Sequence, residues 1–235
     1  MKTLTIDNIQ IEVQWKKVKN MRLSISAPEG RVRISAPFWV SEEAVSAFIV
    51  SKMDWIKKKI DIICNQPKSV KLEYISGEKH YFKGIPHTMR VIIRKGAPAI
   101  EADNSNFINL YIRDGLGAQQ RENILHKWYR RELEIVLSPL IAKWETLLNV
   151  KTNYWKIKRM KTLWGSCNVQ HGRILFNLEL IKKPLHCIEY VIVHELTHLL
   201  ERRHNAHFKS LLDLHFPTWR QIKKELNGNT RFLPL

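Results

Sequence analysis

Two histidines four residues apart, His194 and His198, flank Glu195 in the stretch VIVHELTHLLERRHNAHF, residues 191–208. On an α-helix, that spacing leaves the two side chains about 40° apart around the axis, so both imidazoles project from one face. Two neutral imidazoles so placed share one metal ion, and the pattern is that of a zinc site with nitrogens at about 2.0–2.1 Å. Glu195, next to the first ligand, is positioned to take a proton from the attacking water. The chemistry implied is metal-assisted hydrolysis.

A third ligand is needed, since catalytic zinc usually takes three protein ligands and a water. His204 is the choice, but on an unbroken helix it would lie about 240° around from His198. It reaches the metal only if the chain turns near residues 201–203. Glycine makes such a turn easily, yet Glu201 stands there, which leaves Asn205 in a left-handed conformation as another way round. His207 and Glu225 are competing ligands. Glu201 is expected to pair with a neighbouring arginine.

These residues need a buried, well-braced helix. IEYVIVHELTHLL, residues 188–200, is apolar on most faces, and ionisable groups inside it require partners. Pro184 opens this helix, and a helical stretch from Phe208 to Leu226 packs behind it. Ahead of it, residues 153–159 and 173–180 (RILFNLEL) read as strands, with KTLWGSCN between them at 161–168. A long helical pattern runs over 118–148, with Pro139 placed to kink or split it. Asp114-Gly115-Leu116-Gly117 marks the expected domain boundary.

Further upstream, residues 3–13 and 21–36 alternate as strands, the latter a hairpin turning at Ala27-Pro28-Glu29-Gly30. Ser41 is a helix N-cap, and a helix or helix pair follows to about Ile63, with Trp55 and Ile56 in its core and Lys57, Lys58 and Lys59 in water. Gln66 to Ser69 is a loop. Residues 71–113 are β-rich, and His80 and His87 there lack metal spacing and read as surface residues.

Composition bounds the rest. No apolar run approaches the 18 residues of a membrane-spanning helix, and the N-terminus lacks a signal peptide's apolar block. Three cysteines, Cys64, Cys167 and Cys187, without a C-x-x-C pair suit a reduced, cytoplasmic protein rather than a disulfide framework. The net charge is +17, divided as +8 in residues 1–113 and +9 in 114–235. An excess spread so evenly is no basic tail, and it favours anionic partners, nucleotide or nucleic acid among them.

KTLWGSC, then RILFNLEL, then HELTHLLERRHNAHF together resemble the YgjP-like zinc metallopeptidases, relatives of the SprT-like and WLM peptidases. The likeness extends to the hairpin at 21–36 and to Asp54-Trp55-Ile56, and so covers most of the chain. It implies an α+β fold: a zincin-like metallopeptidase domain, residues 116–235, with an active-site helix on a small sheet, preceded by a β-rich region with a helical insertion, residues 1–115. It implies Zn²⁺ held by His194, His198 and His204, Glu195 as general base, and a substrate cleft at Trp164, Gly165, Ser166 and Asn177. The strand at 173–180 would line that cleft and pair with an extended peptide. Trp164 and Cys167 are supports rather than catalysts. Leu163 departs from many relatives, which carry Arg there.

The leading expectation is peptide hydrolysis. Two alternatives remain at this level. Some relatives are described as UTP pyrophosphatases, and the positive charge suits a triphosphate, though no P-loop or carboxylate cluster for Mg²⁺ is present. SprT-like relatives act on DNA-bound proteins, though no helix-turn-helix, zinc finger or RNP motif is visible here.

Overall fold

The structure, a computed structural model, describes residues 2–26, 29–64 and 72–228. The chain divides into two compact units, Met1–Lys71 and Leu72–Leu235.

In the first unit, β1 (Lys2–Ile6), β2 (Ile9–Lys16), β3 (Arg22–Ser26) and β4 (Arg31–Pro37) form one sheet in the order β1-β2-β4-β3. The expected single strand over 3–13 is a hairpin. Asp7 and Asn8 both take positive φ, the conformation of a tight turn between twisted strands. The β3–β4 hairpin is present, while Ala27 and Pro28 of its turn lie outside the described residues, as does the 66–69 loop. Ser41 caps α1 (Glu42–Ser51), accepting from the Ala44 amide, and α2 (Met53–Cys64) follows. Val45, Ile49, Met53 and Ile56 close over Ile11, Val13, Val32 and Ile34. Trp55 is not in this core: one position from Ile56 on the helix, it faces away and is 50% exposed.

The second unit begins with β5 (Lys79–Phe82), β6 (Ile85–Ile93), β7 (Ala99–Ala102) and β8 (Phe107–Ile112), in the order β5-β6-β8-β7. Its pairing senses repeat those of the first sheet: hairpin, parallel centre, hairpin. His80 and His87 are buried here rather than on the surface. They pair across the β5–β6 hairpin, and their rings lie against Tyr74 and Phe82 respectively. This sheet shares one apolar core with the helices that follow. The expected division at 115/116 therefore does not separate compact units. Asp114 to Gly117 is the turn from β8 into α3 (Ala118–Leu147), not a linker.

α3 is one helix, with Pro139 inside it on the exposed side, where water can replace the lost backbone hydrogen bond. Leu125, Trp128, Tyr129, Leu133, Leu137, Ile141 and Trp144 recur at threes and fours and face the core. A second sheet follows, built from β9 (Tyr154–Lys158), β10 (Gly165–Asn168) and β11 (Arg173–Asn177) in the order β10-β11-β9. Strand β10 was not anticipated. The strand expected at 173–180 ends at Asn177, and residues 178–182 form a 3-10 turn. Last come α4 (Leu185–Thr197), α5 (Ala206–His215) and α6 (Trp219–Gly228). The single helical stretch expected over 208–226 is broken between α5 and α6, where Pro217 falls in a turn.

Candidate metal centre

Helix α4 carries the motif through the middle of the second unit, packed on α3, β10, α5 and α6. Its first residue follows Pro184, whose fixed φ of −55° suits a helix start. Nine of its thirteen residues are buried, Glu195 among them.

The helix stops where the chemistry needs it to. His198 is its C-cap, and Leu199, Leu200 and Glu201 donate back to Leu196 and Thr197 in a tightening last turn. Glu201 then makes the bend that glycine would otherwise supply. Its carboxylate accepts from the Arg203 amide at 2.9 Å and bonds the Asn205 side chain, and among the described residues the expected ion pair with an arginine side chain is not found. Asn205 is extended rather than left-handed, and its side chain caps α5 by accepting from the Phe208 amide.

The bend carries His204 back to the helix face. The potential ligand nitrogens of His194, His198 and His204 all lie within 4.8 Å of one another. Nε2 of His204 stands 3.0 Å from Nε2 of His194, close to the roughly 3.3 Å edge of a tetrahedron with 2.0–2.1 Å bonds. The outer nitrogens have protein partners: the Glu201 carbonyl accepts from His198 Nδ1 at 3.2 Å, and Tyr190 Oη lies 3.5 Å from His194 Nδ1. A proton held on His198 Nδ1 leaves its Nε2 as the ligand atom. Phe208, fully buried, touches all three rings at centroid distances of 4.7–5.0 Å.

Electrostatics favour the neutral imidazoles that metal ligation requires. Burial, then the positive charges of His198, His204 and Lys223, pull His194 down to about 3. Burial also lowers His198. The donor set thus suits a divalent ion of the zinc type.

Glu195 lies one position along the helix, and burial pushes its carboxyl up to about 8. It rests against β10. A Cβ on Gly165 would stand 2.5 Å from Glu195 Oε1, so only glycine leaves room for this carboxyl group. A cleft of about 820 Å³ opens over these groups, with Trp164, Gly165 and Ser166 among its lining residues. Asn177 does not line it. Fully buried, it accepts from the Met160 and Glu179 amides and donates to the Met160 and Leu163 carbonyls, tying down the loop that leads into β10. Of β11, only Arg173 lines the cleft. That strand is central in its sheet, and β10, one of the two edge strands, runs along the cleft.

Neither competing ligand joins the three histidines. His207 is exposed on α5. Glu225 accepts from His186 Nε2 at 2.9 Å and, with Cys187, forms a separate group whose ligand atoms lie within 4.8 Å. Burial pushes the Cys187 thiol up to about 12, and the Lys183 ammonium acts on both Cys187 and Glu225, so this group is balanced as it stands. Tyr190, Arg173, Arg202 and Lys223 also belong to the cleft lining. The spacing of Tyr190, one turn before His194, could have revealed it. Nothing local in the sequence singles out the three cations.

A family model described as "YgjP-like, metallopeptidase domain" matches residues 19–229. No curated protein matches the chain. Among solved structures, the crystal structure of the metallopeptidase zymogen of Pyrococcus abyssi abylysin is similar at a TM-score of 0.39 and 16% identity. The match covers 42% of this chain and 99% of that one, a likeness too weak to argue from.

Proposed function

This chain belongs to the YgjP-like metallopeptidase family, and from that premise we propose that it is a zinc-dependent peptidase with a zincin-like site. Family membership implies a metal ion and a peptide or protein substrate. The observation that carries the finer reading is the convergence of three imidazoles beside a buried carboxyl group at a strand edge.

His194, His198 and His204 would hold the ion. When bound, zinc supplies Lewis acidity toward a carbonyl oxygen and lowers the pKa of a water to about 7. Glu195 is the general base: it takes the proton of the attacking water and returns it to the leaving amine. Its neighbour Gly165 keeps it in place, while Tyr190, the Glu201 carbonyl and Phe208 hold the imidazoles in orientation. An extended substrate pairs with the edge of β10, whose backbone groups on that side have no strand partner among the described residues. The phosphoanhydride reading gains nothing from the cleft, where Glu195 is the sole carboxylate among the lining residues. Magnesium–triphosphate chemistry relies on more.

The test is metal content and turnover together. Purified wild type should hold about one equivalent of zinc by elemental analysis and cleave an unstructured protein substrate, and His204→Ala should lose most of both. Protein that binds no zinc under replete conditions would end this reading.

A further inference from the structure

The cleft is lopsided in charge. Arg173, Arg202 and Lys223 line it, against a single carboxylate, Glu195. None of the three cations lies within ion-pair distance of an acid among the described residues. The chain around β10 shares this bias: residues 146–178 contain six Lys or Arg and no Asp or Glu.

Strand register says which of these charges a bound peptide meets. β10 pairs antiparallel with β11 so that Gly165 faces Phe176, Cys167 faces Ile174, and Asn168 faces Arg173. Ile174 and Phe176 are buried, and Gly165 abuts Glu195. Ser166, Asn168, Leu175 and Arg173 therefore share the opposite face of the sheet. A peptide strand added to β10 places alternate side chains on that face, and the one beside Asn168 lies in line with Arg173, two strand spacings or about 10 Å away. Long side chains reaching toward each other close that gap. The Arg173 guanidinium is available for it: Nη1 donates one long hydrogen bond to Tyr154 Oη at 3.4 Å, and Nε is buried without an acceptor. A carboxylate that reaches the guanidinium forms a charge-assisted hydrogen bond, stronger than the long one to Tyr154.

We propose that the cleft selects peptide segments bearing acidic side chains, and that Arg173 is the residue that reads them on the outer face of the sheet. This rests on the proposed peptidase site, with its substrate paired to β10. Arg202 and Lys223 add attraction without register.

The test separates recognition from turnover. Glu195→Gln, zinc-loaded, is titrated by fluorescence anisotropy with matched labelled peptides that carry Glu, Gln or Lys at successive positions. One position should favour Glu over Lys by about tenfold or more, the effect of one charge-assisted hydrogen bond in a part-buried site. In the Arg173→Gln background that preference should fall to near one. In Arg173→Glu it should invert toward Lys, a gain that a misfolded protein cannot produce. Equal binding of the three peptides, or a Glu preference that survives Arg173→Glu, overturns the proposal. So does binding of UTP tenfold tighter than any acidic peptide, which would assign these cations to phosphate. Peptide cleavage by wild type is scored separately. Selective binding without cleavage would refute the peptidase reading and leave the recognition intact.

Discussion

At the scale of single residues, two substitutions separate holding the metal from using it. Glu195→Gln preserves the three imidazoles and removes the base. Zinc content should stay near that of wild type while kcat falls by roughly 10²–10⁴-fold, as read by elemental analysis beside a steady-state assay. Gly165→Ala is the more discriminating change. It leaves every polar group in place but sets a methyl group 2.5 Å from Glu195 Oε1. The carboxyl must move, and a displacement near 1 Å can cost about 100-fold in rate. Retained zinc with a loss of that size supports Gly165 as the positioning residue, and full activity would show that Glu195 has room to spare.

At the scale of elements, the site depends on α5 as much as on α4. Phe208, at the start of α5, is buried against His194, His198 and His204 at once. Phe208→Ala should destabilise the protein by about 3–5 kcal/mol through the cavity it leaves. It should also weaken zinc binding, because the rings lose the surface that orients them. Thermal melts with and without a chelator measure both: the wild-type melting temperature should drop on chelation, and the drop should be smaller in the variant. Asn177 serves the opposite side of the cleft in the same way. Three hydrogen bonds made by one buried amide hold the 160–163 loop from which β10 starts.

At the scale of the whole molecule, acid should loosen the second unit from places remote from the metal. Burial lowers His80, opposed by Glu78 at 3.3 Å and assisted by Lys182. Burial also lowers His126, assisted by Arg159 and Lys182 and opposed by Glu122 and Glu179. A histidine whose folded pKa lies below its unfolded value of 6.5 binds more protons when unfolded. Stability is therefore full above pH 6.5, declines as pH falls through it, and levels off below the folded pKa. Denaturant midpoints should fall between pH 7.5 and 5.5 in metal-free protein, where His194 and His198 add to the slope, and His126→Gln should flatten it in part. An unchanged slope would show that His126 binds protons equally in the folded and unfolded states.

What the sequence alone determined was local or periodic. Four-residue spacing on an apolar helix put His194 and His198 on one face and Glu195 beside them, because helix geometry needs no distant partner. Alternation and turn residues revealed most strands, and Ser41 and Pro184 marked where helices begin. The family likeness was legible too, carried by motifs spread along the chain. Tertiary structure alone decided the rest. Four-residue β10 was too short to show a period, yet it is the edge beside the cleft. The return of His204 depends on Glu201 bonding backbone and Asn205 in place of a glycine. His80 and His87 became core residues, and Trp55 a surface one, because burial depends on which face meets a neighbouring element. The cations of the cleft come from β11, the loop after α4, and α6, residues far apart in sequence that only packing brings to one cavity.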